Sequence, residues 1–245
     1  MRIAVAGGTG WAGTSVVRAL REKGADVVIL ARSTGVDLTT GQGVAARLEG
    51  VDALVDVTNI KTQRRRAATA FFEATTSTLL EAEKAAGVPH HLVLSIVGCD
   101  RVDLGYYRAK RRQEELVLAG PVPATVLRAT QFHEFAAQML ASRGPLVLAP
   151  KMLCQPVALD EVAEHLSVLA MGDPHGRAVD MAGPRTERMD QMVVRLGRQR
   201  GDRRPKVRVG MPGKVGRQIK DGGLLPVDGA LIDEVTFDEW LVRAD

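Results

Sequence analysis

Apolar residues along this chain fall into two rhythms. Short, nearly continuous runs occur at 2–6 (RIAVA), 27–31 (VVILA), 53–57 (ALVDV), 91–97 (HLVLSIV) and 124–129 (ATVLRA). Runs of this length without polar alternation predict strands buried on both faces. Between them lie stretches with helical spacing. In 12–23 the apolar positions are Val16, Val17, Ala19 and Leu20, and Gly24 ends the pattern; 63–86 and 107–119 are compatible with longer helices. Strands alternating with helices predict an α/β fold, a doubly wound parallel sheet with helices on both faces.

Beyond about residue 130 the rhythm breaks. Helices are expected at 133–142, 160–170 and 187–200, and short strands near 145–149, 155–158 and 178–182. A Gly-, Pro-, Lys- and Arg-rich stretch at 201–229 reads as surface loop, and a last helix at 237–243. Ligands of open α/β sheets bind beyond the carboxyl ends of the strands. The expectation is therefore one nucleotide-binding domain over 1–245, with 130–245 supplying a small, irregular substrate region and lid.

Composition adds limits. With 245 residues, 45% hydrophobic and 25% charged, the chain reads as an ordinary soluble protein. Aromatics are only 4%, so Val, Leu, Ala and Ile must build most of the core. Cys99 and Cys154 are too few for a disulfide framework or a zinc site, which suits a reducing, cytoplasmic setting. No stretch approaches a membrane span. The net charge is +4, with basic runs at Arg64–Arg66, Arg108–Arg112 and Arg198–Arg208. No aromatic residues interleave with them for base stacking, so they read as solvated faces and no nucleic-acid partner is expected. His90 and His91 lack acidic partners at metal-like spacing and read as loop; no metal site is expected. Nothing in the sequence fixes the oligomeric state, and a homo-oligomer is compatible with it.

The most informative segment is Gly7-Gly8-Thr9-Gly10-Trp11-Ala12-Gly13, between the first strand and first helix. Gly7, Gly10 and Gly13 stand three apart. A chain that turns sharply, brings its backbone against a pyrophosphate and starts a helix toward it needs bare positions at those points. The sheet is therefore expected to be Rossmann-like. Arg32 ends the second strand, 19 residues after Gly13. An acidic residue there would suit a ribose 2′-OH, whereas Arg32 with Ser33 suits a 2′-phosphate. The expected cofactor is NADP(H).

The GGTGWAG loop resembles the GxxGxxG form of atypical, or extended-type, short-chain dehydrogenases/reductases. That likeness implies that Asp37 and Leu38 cradle the adenine ring and that Asn59, at the end of ALVDV, passes beside the cofactor riboses. Further on, Ser95 sits on the fourth strand and Tyr106 and Lys110 open the next helix. Four residues apart, Tyr106 and Lys110 share a helix face, while Tyr107 is rotated about 100° away and should pack or face solvent. A nearby ammonium would lower the Tyr106 pKa, and the tyrosine could then protonate a carbonyl oxygen as hydride arrives. Ser95 would hold that oxygen, and Lys110 would also reach the nicotinamide ribose. The run SIVGCD…YYRAKRRQEELV…TVLRATQF resembles the NmrA-like branch of these proteins, over roughly residues 1–170. By that likeness the turn after the fifth strand enters the substrate pocket, with Gln131, Phe132 and His133 as pocket residues; His133 reads equally well as a surface residue at a helix start. Gln155-Pro156-Val157 and the segment from Asp160 resemble the following strand and helix, with Asp160 as N-cap.

These readings converge on an NADPH-dependent oxidoreductase that reduces a small carbonyl or quinone-like molecule. Two others stay open: an NADP(H)-binding redox sensor or scaffold without turnover, and a flavin or ene reductase that does not use Tyr106.

Overall fold

Each of the five apolar runs folds into a strand because backbone groups buried on both faces can be satisfied only by neighbouring strands. The computed structural model describes residues 1–62 and 64–243. Its first half runs β1 (Arg2–Ala6), α1 (Trp11–Glu22), β2 (Asp26–Leu30), β3 (Ala53–Asp56), α2 (Arg65–Ala86), β4 (His91–Ile96), α3 (Gly105–Leu118) and β5 (Ala124–Ala129). These agree with the sequence reading to within one or two residues at each end, and Gln63, the expected first residue of α2, lies outside the described residues. α1 buries Val16, Val17 and Leu20. It stops where Gly24 takes a φ of +78°, and Ala25 N–H then reaches back to Leu20 O at 3.0 Å.

The second half contains α4 (Phe135–Leu140), β6 (Val147–Pro150), β7 (Leu153–Cys154), α5 (Leu159–Ala170), β8 (Gly176–Arg177), β9 (Met181–Ala182) and β10 (Glu187–Arg188). There follow α6 (Met189–Gln199), β11 (Lys206–Val209), α7 (Gly213–Lys220), β12 (Leu231–Ile232) and α8 (Phe237–Arg243). Here the sequence reading needs correction. The expected loop 201–229 holds β11, paired in parallel with β6, and α7. Their glycines and arginines hid a strand and helix that only a tertiary partner stabilises. The strand expected at 155–158 ends earlier, at Cys154, although Val157 bridges Phe132. Asp160 does not cap α5: the N-cap is Ala158, and Asp160 instead accepts from Ser15 at 2.8 Å and pairs with Arg18 of α1. His90 precedes β4, as expected, but is buried, whereas His91 belongs to the strand. His91 opens β4 fully buried, and its Nδ1 lies 2.9 Å from both carboxylate oxygens of Glu83 on α2.

The main sheet is parallel, in the order β12-β9-β5-β4-β3-β1-β2, with β8 beside β5. β1 lies between β2 and β3, so the connections leave it in opposite directions and open a crevice at its carboxyl end. One apolar core joins α1 and α5 to a sheet face through Val16, Leu20, Leu92, Leu127, Val162 and Leu166. A second lies against α2 and the 31–51 segment. A third, separate core belongs to the second half: Leu140, Val147, Met189, Met192, Leu196 and Phe237. Among the described residues no helix is long and apolar enough to cross a membrane.

Candidate active site

The glycine loop occupies the crevice at the end of β1. Gly7 has a φ of +79°, and a side chain there would press on the Thr58 backbone at 3.2 Å. Gly13 is more constrained, since a Cβ would lie 2.1 Å from Gly7 O and 2.6 Å from Gly8 Cα. Gly10 differs: within 4 Å a Cβ would meet only Gly7 O, at 3.0 Å, and otherwise open space. Gly13 is thus bare so that the helix can pack on its own loop, whereas Gly10 leaves an open approach. The first turn of α1 carries no acidic side chain and no side-chain cap. Its free N–H groups and positive dipole end face that approach, a combination that suits a phosphate. The loop therefore fits the dinucleotide expected from sequence. Thr9 is exposed beside it. The Trp11 ring leans across to the turn after β5, stacked on Phe135 and edge-on to Phe132.

At the carboxyl end of β2, Arg32 and Ser33 begin a single helical turn, both exposed. Thr34 pins it, donating to Ala31 O at 2.8 Å and accepting from Ala31 N–H at 3.2 Å. Arg47, which sequence reasoning missed, donates to Thr34 O at 3.1 Å and brings a second guanidinium to this turn. Asp37 is committed to its own turn: its Oδ1 accepts from the Thr39 hydroxyl at 2.6 Å and the Thr39 N–H at 2.8 Å. Those bonds hold its carboxyl below the ordinary aspartate range. Leu38 is half-buried beside the second core.

Two residues predicted from separate segments meet. The Tyr106 hydroxyl, at the head of α3, donates to Asn59 Oδ1 at 2.7 Å. Ile60 N–H donates to the same oxygen at 2.7 Å and fixes the amide's orientation. Lys110 does not join them. Its Nζ donates to Leu94 O at 2.6 Å and Gln113 Oε1 at 2.5 Å, and Gln113 passes the chain on to buried Asp56 at 2.8 Å. Phe72 touches both would-be partners: its ring lies 4.8 Å from Lys110 Nζ and 5.8 Å, edge-on, from the Tyr106 ring. Burial, with a smaller push from Tyr107, raises the Tyr106 pKa. The expected lowering by Lys110 is therefore corrected. Sharing a helix face did not decide where the ammonium turned, because a buried lysine must find acceptors. Its own pKa is lowered by burial, against the pull of Asp56 and Glu114.

Ser95 is not brought to Tyr106 either. It is 2% exposed, its hydroxyl faces the Glu114 carboxylate, and its strand partner is Arg128. Arg128 donates to both Glu114 oxygens, at 2.8 and 2.7 Å, and to Asp100 at 2.7 Å. This clamp ties β5 to α3 and to the loop after β4, and no sequence motif announced it.

Tyr107 is more than a bystander. Gln131 Nε2 donates to its hydroxyl at 3.3 Å, and Gln131 Oε1 is buried without a partner. Burial pushes the Tyr107 pKa up to about 12. Its ring packs under Ile219 and Leu224, the α7 segment that returns over the loop after β4. There a Cβ on Gly98 would lie 2.2 Å from Gly223 O. Phe132 is half-buried beside Trp11. His133 fits neither of its expected places, because it is 1% exposed and its Nε2 lies 3.0 Å from Val235 O, packed on Phe237 and Trp240. α8 covers it, and Trp240 Nε1 donates to Glu134 Oε1 at 3.0 Å. Both cysteines are free and buried, their pKa values pushed up to about 12 by burial. Much of the basic surface is spent in ion pairs, such as Arg108 with Asp103, Arg112 with Glu73, and Arg204 and Lys206 with Asp202.

No family model matches the chain, and no curated protein matches it by sequence. Solved structures do match its fold. A short-chain dehydrogenase/reductase superfamily protein from Agrobacterium tumefaciens with bound NAD is 18% identical, with a TM-score of 0.70 over 100% of this chain and 96% of that one. An NADPH-dependent quinone oxidoreductase from Escherichia coli is 17% identical, with a TM-score of 0.71 over 99% of each chain. The dTDP-glucose 4,6-dehydratase DesIV from Streptomyces venezuelae, with NAD and TYD bound, is 18% identical, with a TM-score of 0.72 over 99% of this chain and 95% of that one. The fold is thus the α/β Rossmann-like fold that these solved structures share.

Proposed function

We propose that this chain is an NADP(H)-dependent oxidoreductase of the short-chain dehydrogenase/reductase type, from its NmrA-like branch, that reduces a small carbonyl or quinone-like compound. The observation that carries the reading is the uncapped glycine loop and the Asn59-held Tyr106 at the same carboxyl edge of one sheet. When bound, the reduced dinucleotide supplies a hydride. Gly10 and the N–H groups opening α1 receive the pyrophosphate, and Arg32 and Ser33, with Arg47 near, receive the 2′-phosphate. Asp37 and Leu38 flank the adenine. Tyr106 gives a proton to the accepting oxygen. Gln131, Phe132 and Tyr107 line the substrate side, while α7 and α8 exclude water. The likeness to a quinone oxidoreductase crystallised with NADPH supports both cofactor and acceptor class. Two free cysteines suit a reducing, cytoplasmic setting.

One observation favours a second reading. Lys110 is turned away and Ser95 is buried, as suits hydride delivery to a quinone, flavin or activated alkene with less help from a proton relay. NADPH oxidation against ketones, quinones and flavins decides between them. Ketone turnover that requires Tyr106 supports the first, turnover of quinones or flavins alone supports the second, and dinucleotide binding with no turnover assigns the chain a sensor role.

A further inference from the structure

Resting on that reading, we infer that Asn59 is a positioning residue that holds Tyr106 as an un-ionised phenol, so that the site donates a proton to a reducible oxygen and is not built for alcohol oxidation. The geometry is one-sided. Asn59 Oδ1 is an acceptor only, and it is fixed as the atom facing Tyr106 by the Ile60 N–H at 2.7 Å. A phenol can donate to it, whereas a phenolate would meet its lone pairs. A cation that could favour the phenolate is missing from the contact, because Lys110 Nζ is spent on Leu94 O and Gln113.

Every element around the ring adds to this. From α2 come Ala68, Phe71 and Phe72, and from the 59–60 segment comes Ile60, all apolar. Lys61 and Arg64–Arg66, the charged groups at the head of α2, stay exposed. On α3 the neighbouring titratable groups are Tyr107 and Lys110. Burial and Tyr107 both oppose ionisation of Tyr106, and no cation counts in its favour. Hydrogen bonding to the neutral form disfavours the charged one.

In the reductive direction the balance closes once the Tyr106 hydroxyl turns from Asn59 Oδ1 to the substrate oxygen. The Tyr106 O–H bond then breaks and its proton joins that oxygen. Hydride from the dinucleotide forms the new C–H bond, and the resulting phenolate takes a proton from solvent. Alcohol oxidation needs the reverse, a phenolate waiting as base, which this pocket disfavours.

The chain has two tyrosines, so Tyr107→Phe leaves one reporter. With the tyrosine Cζ labelled with carbon-13, the ionisation midpoint of Tyr106 in the ligand-free protein should lie above the ordinary value of about 10. Adding Asn59→Ala should lower that midpoint by about half to one pH unit, the worth of one net hydrogen bond. Asn59→Asp, which keeps the acceptor and adds a negative charge, should raise it. A midpoint at or below 9, or one that neither Asn59 variant moves, overturns the inference. If Asn59→Ala fails to fold, Asn59→Asp decides alone. The readout needs no substrate, so failure of the oxidoreductase reading would appear separately, as absence of NADPH oxidation.

Discussion

Replacing Arg128 with Met tests the clamp that holds α3, and with it Tyr106, against the sheet. Met preserves much of the stem's volume and removes the guanidinium. Lost are two hydrogen bonds to Glu114, at 2.8 and 2.7 Å, and one to Asp100 at 2.7 Å. The Arg128 and Glu114 side chains are 6% and 2% exposed, so water cannot take over. Glu114 would keep Arg177, at 3.2 Å, and the Cys99 thiol, at 3.4 Å. Breaking one partner of a buried pair costs about 3–5 kcal/mol. Asp100 is 39% exposed, so its share is at most about 1 kcal/mol. At about 2–4 °C per kcal/mol for a chain of this length, the melting temperature should fall by roughly 6–20 °C.

The pH dependence has a sign that separates this cause from lost packing. Burial pushes the Glu114 pKa up, but the Arg128 bonds, the Ser95 hydroxyl and the charges of Arg128 and Arg177 outweigh it and hold it below the ordinary glutamate range; Arg128 likewise lowers Asp100 against its burial. Folded-state pKa values below the unfolded ones of about 4 mean stability that is present above that pH and lost as pH falls through the folded values. In Arg128→Met burial acts on Glu114 with less opposition, its pKa rises, and the stability deficit should narrow from pH 7 to pH 5. Urea unfolding at both pH values measures this. Adding Glu114→Leu should restore most of the loss, because the stranded carboxylate is gone. A cost under about 1 kcal/mol, or a deficit equal at both pH values, would refute the reasoning.

Other outcomes follow from the cradle and the site. Gly10→Val should leave the fold intact and abolish dinucleotide binding by calorimetry, whereas Gly13→Ala should also destabilise the chain, since its Cβ has no room beside Gly7 O. Arg32→Asp should cut the preference for NADPH over NADH by about tenfold or more, the worth of one charge-assisted contact; equal binding of both cofactors by the unaltered protein contradicts the 2′-phosphate assignment. Tyr106→Phe should lower carbonyl reduction by about 10²–10⁴-fold with cofactor affinity kept, and unchanged turnover would remove Tyr106 from the chemistry.

The sheet was legible in the sequence because parallel strands buried on both faces leave uninterrupted apolar runs, and the glycine loop because the turn tolerates few other residues. The meeting of Asn59 with Tyr106 was not, since each residue was visible alone but 47 positions apart. Helical spacing put Tyr106 and Lys110 on one face, yet the course of a long side chain depends on acceptors such as Leu94 O and Gln113, which belong to the packed state. In the sequence Arg128 and Glu114 carry no motif that sets them apart from any other strand arginine and helix glutamate. Nothing local distinguishes a charge that will be buried with its partner from one left in water. α7 and β11 stayed hidden for a related reason: eight residues with glycines at 213 and 216 make a poor helix alone.

The contact of Gly98 with Gly223 bears on how the molecule is made. A ribosome makes the glycine loop and the Thr58 backbone behind it well before Ile219, Gly223 and Leu224, which roof Tyr107, and before Phe237 and Trp240, which cover His133. A nascent or stalled chain that stops before residue 219 therefore carries the phosphate cradle without the roof. If the cradle takes the dinucleotide as proposed, that cofactor would stand open to water until the 219–224 segment has been made.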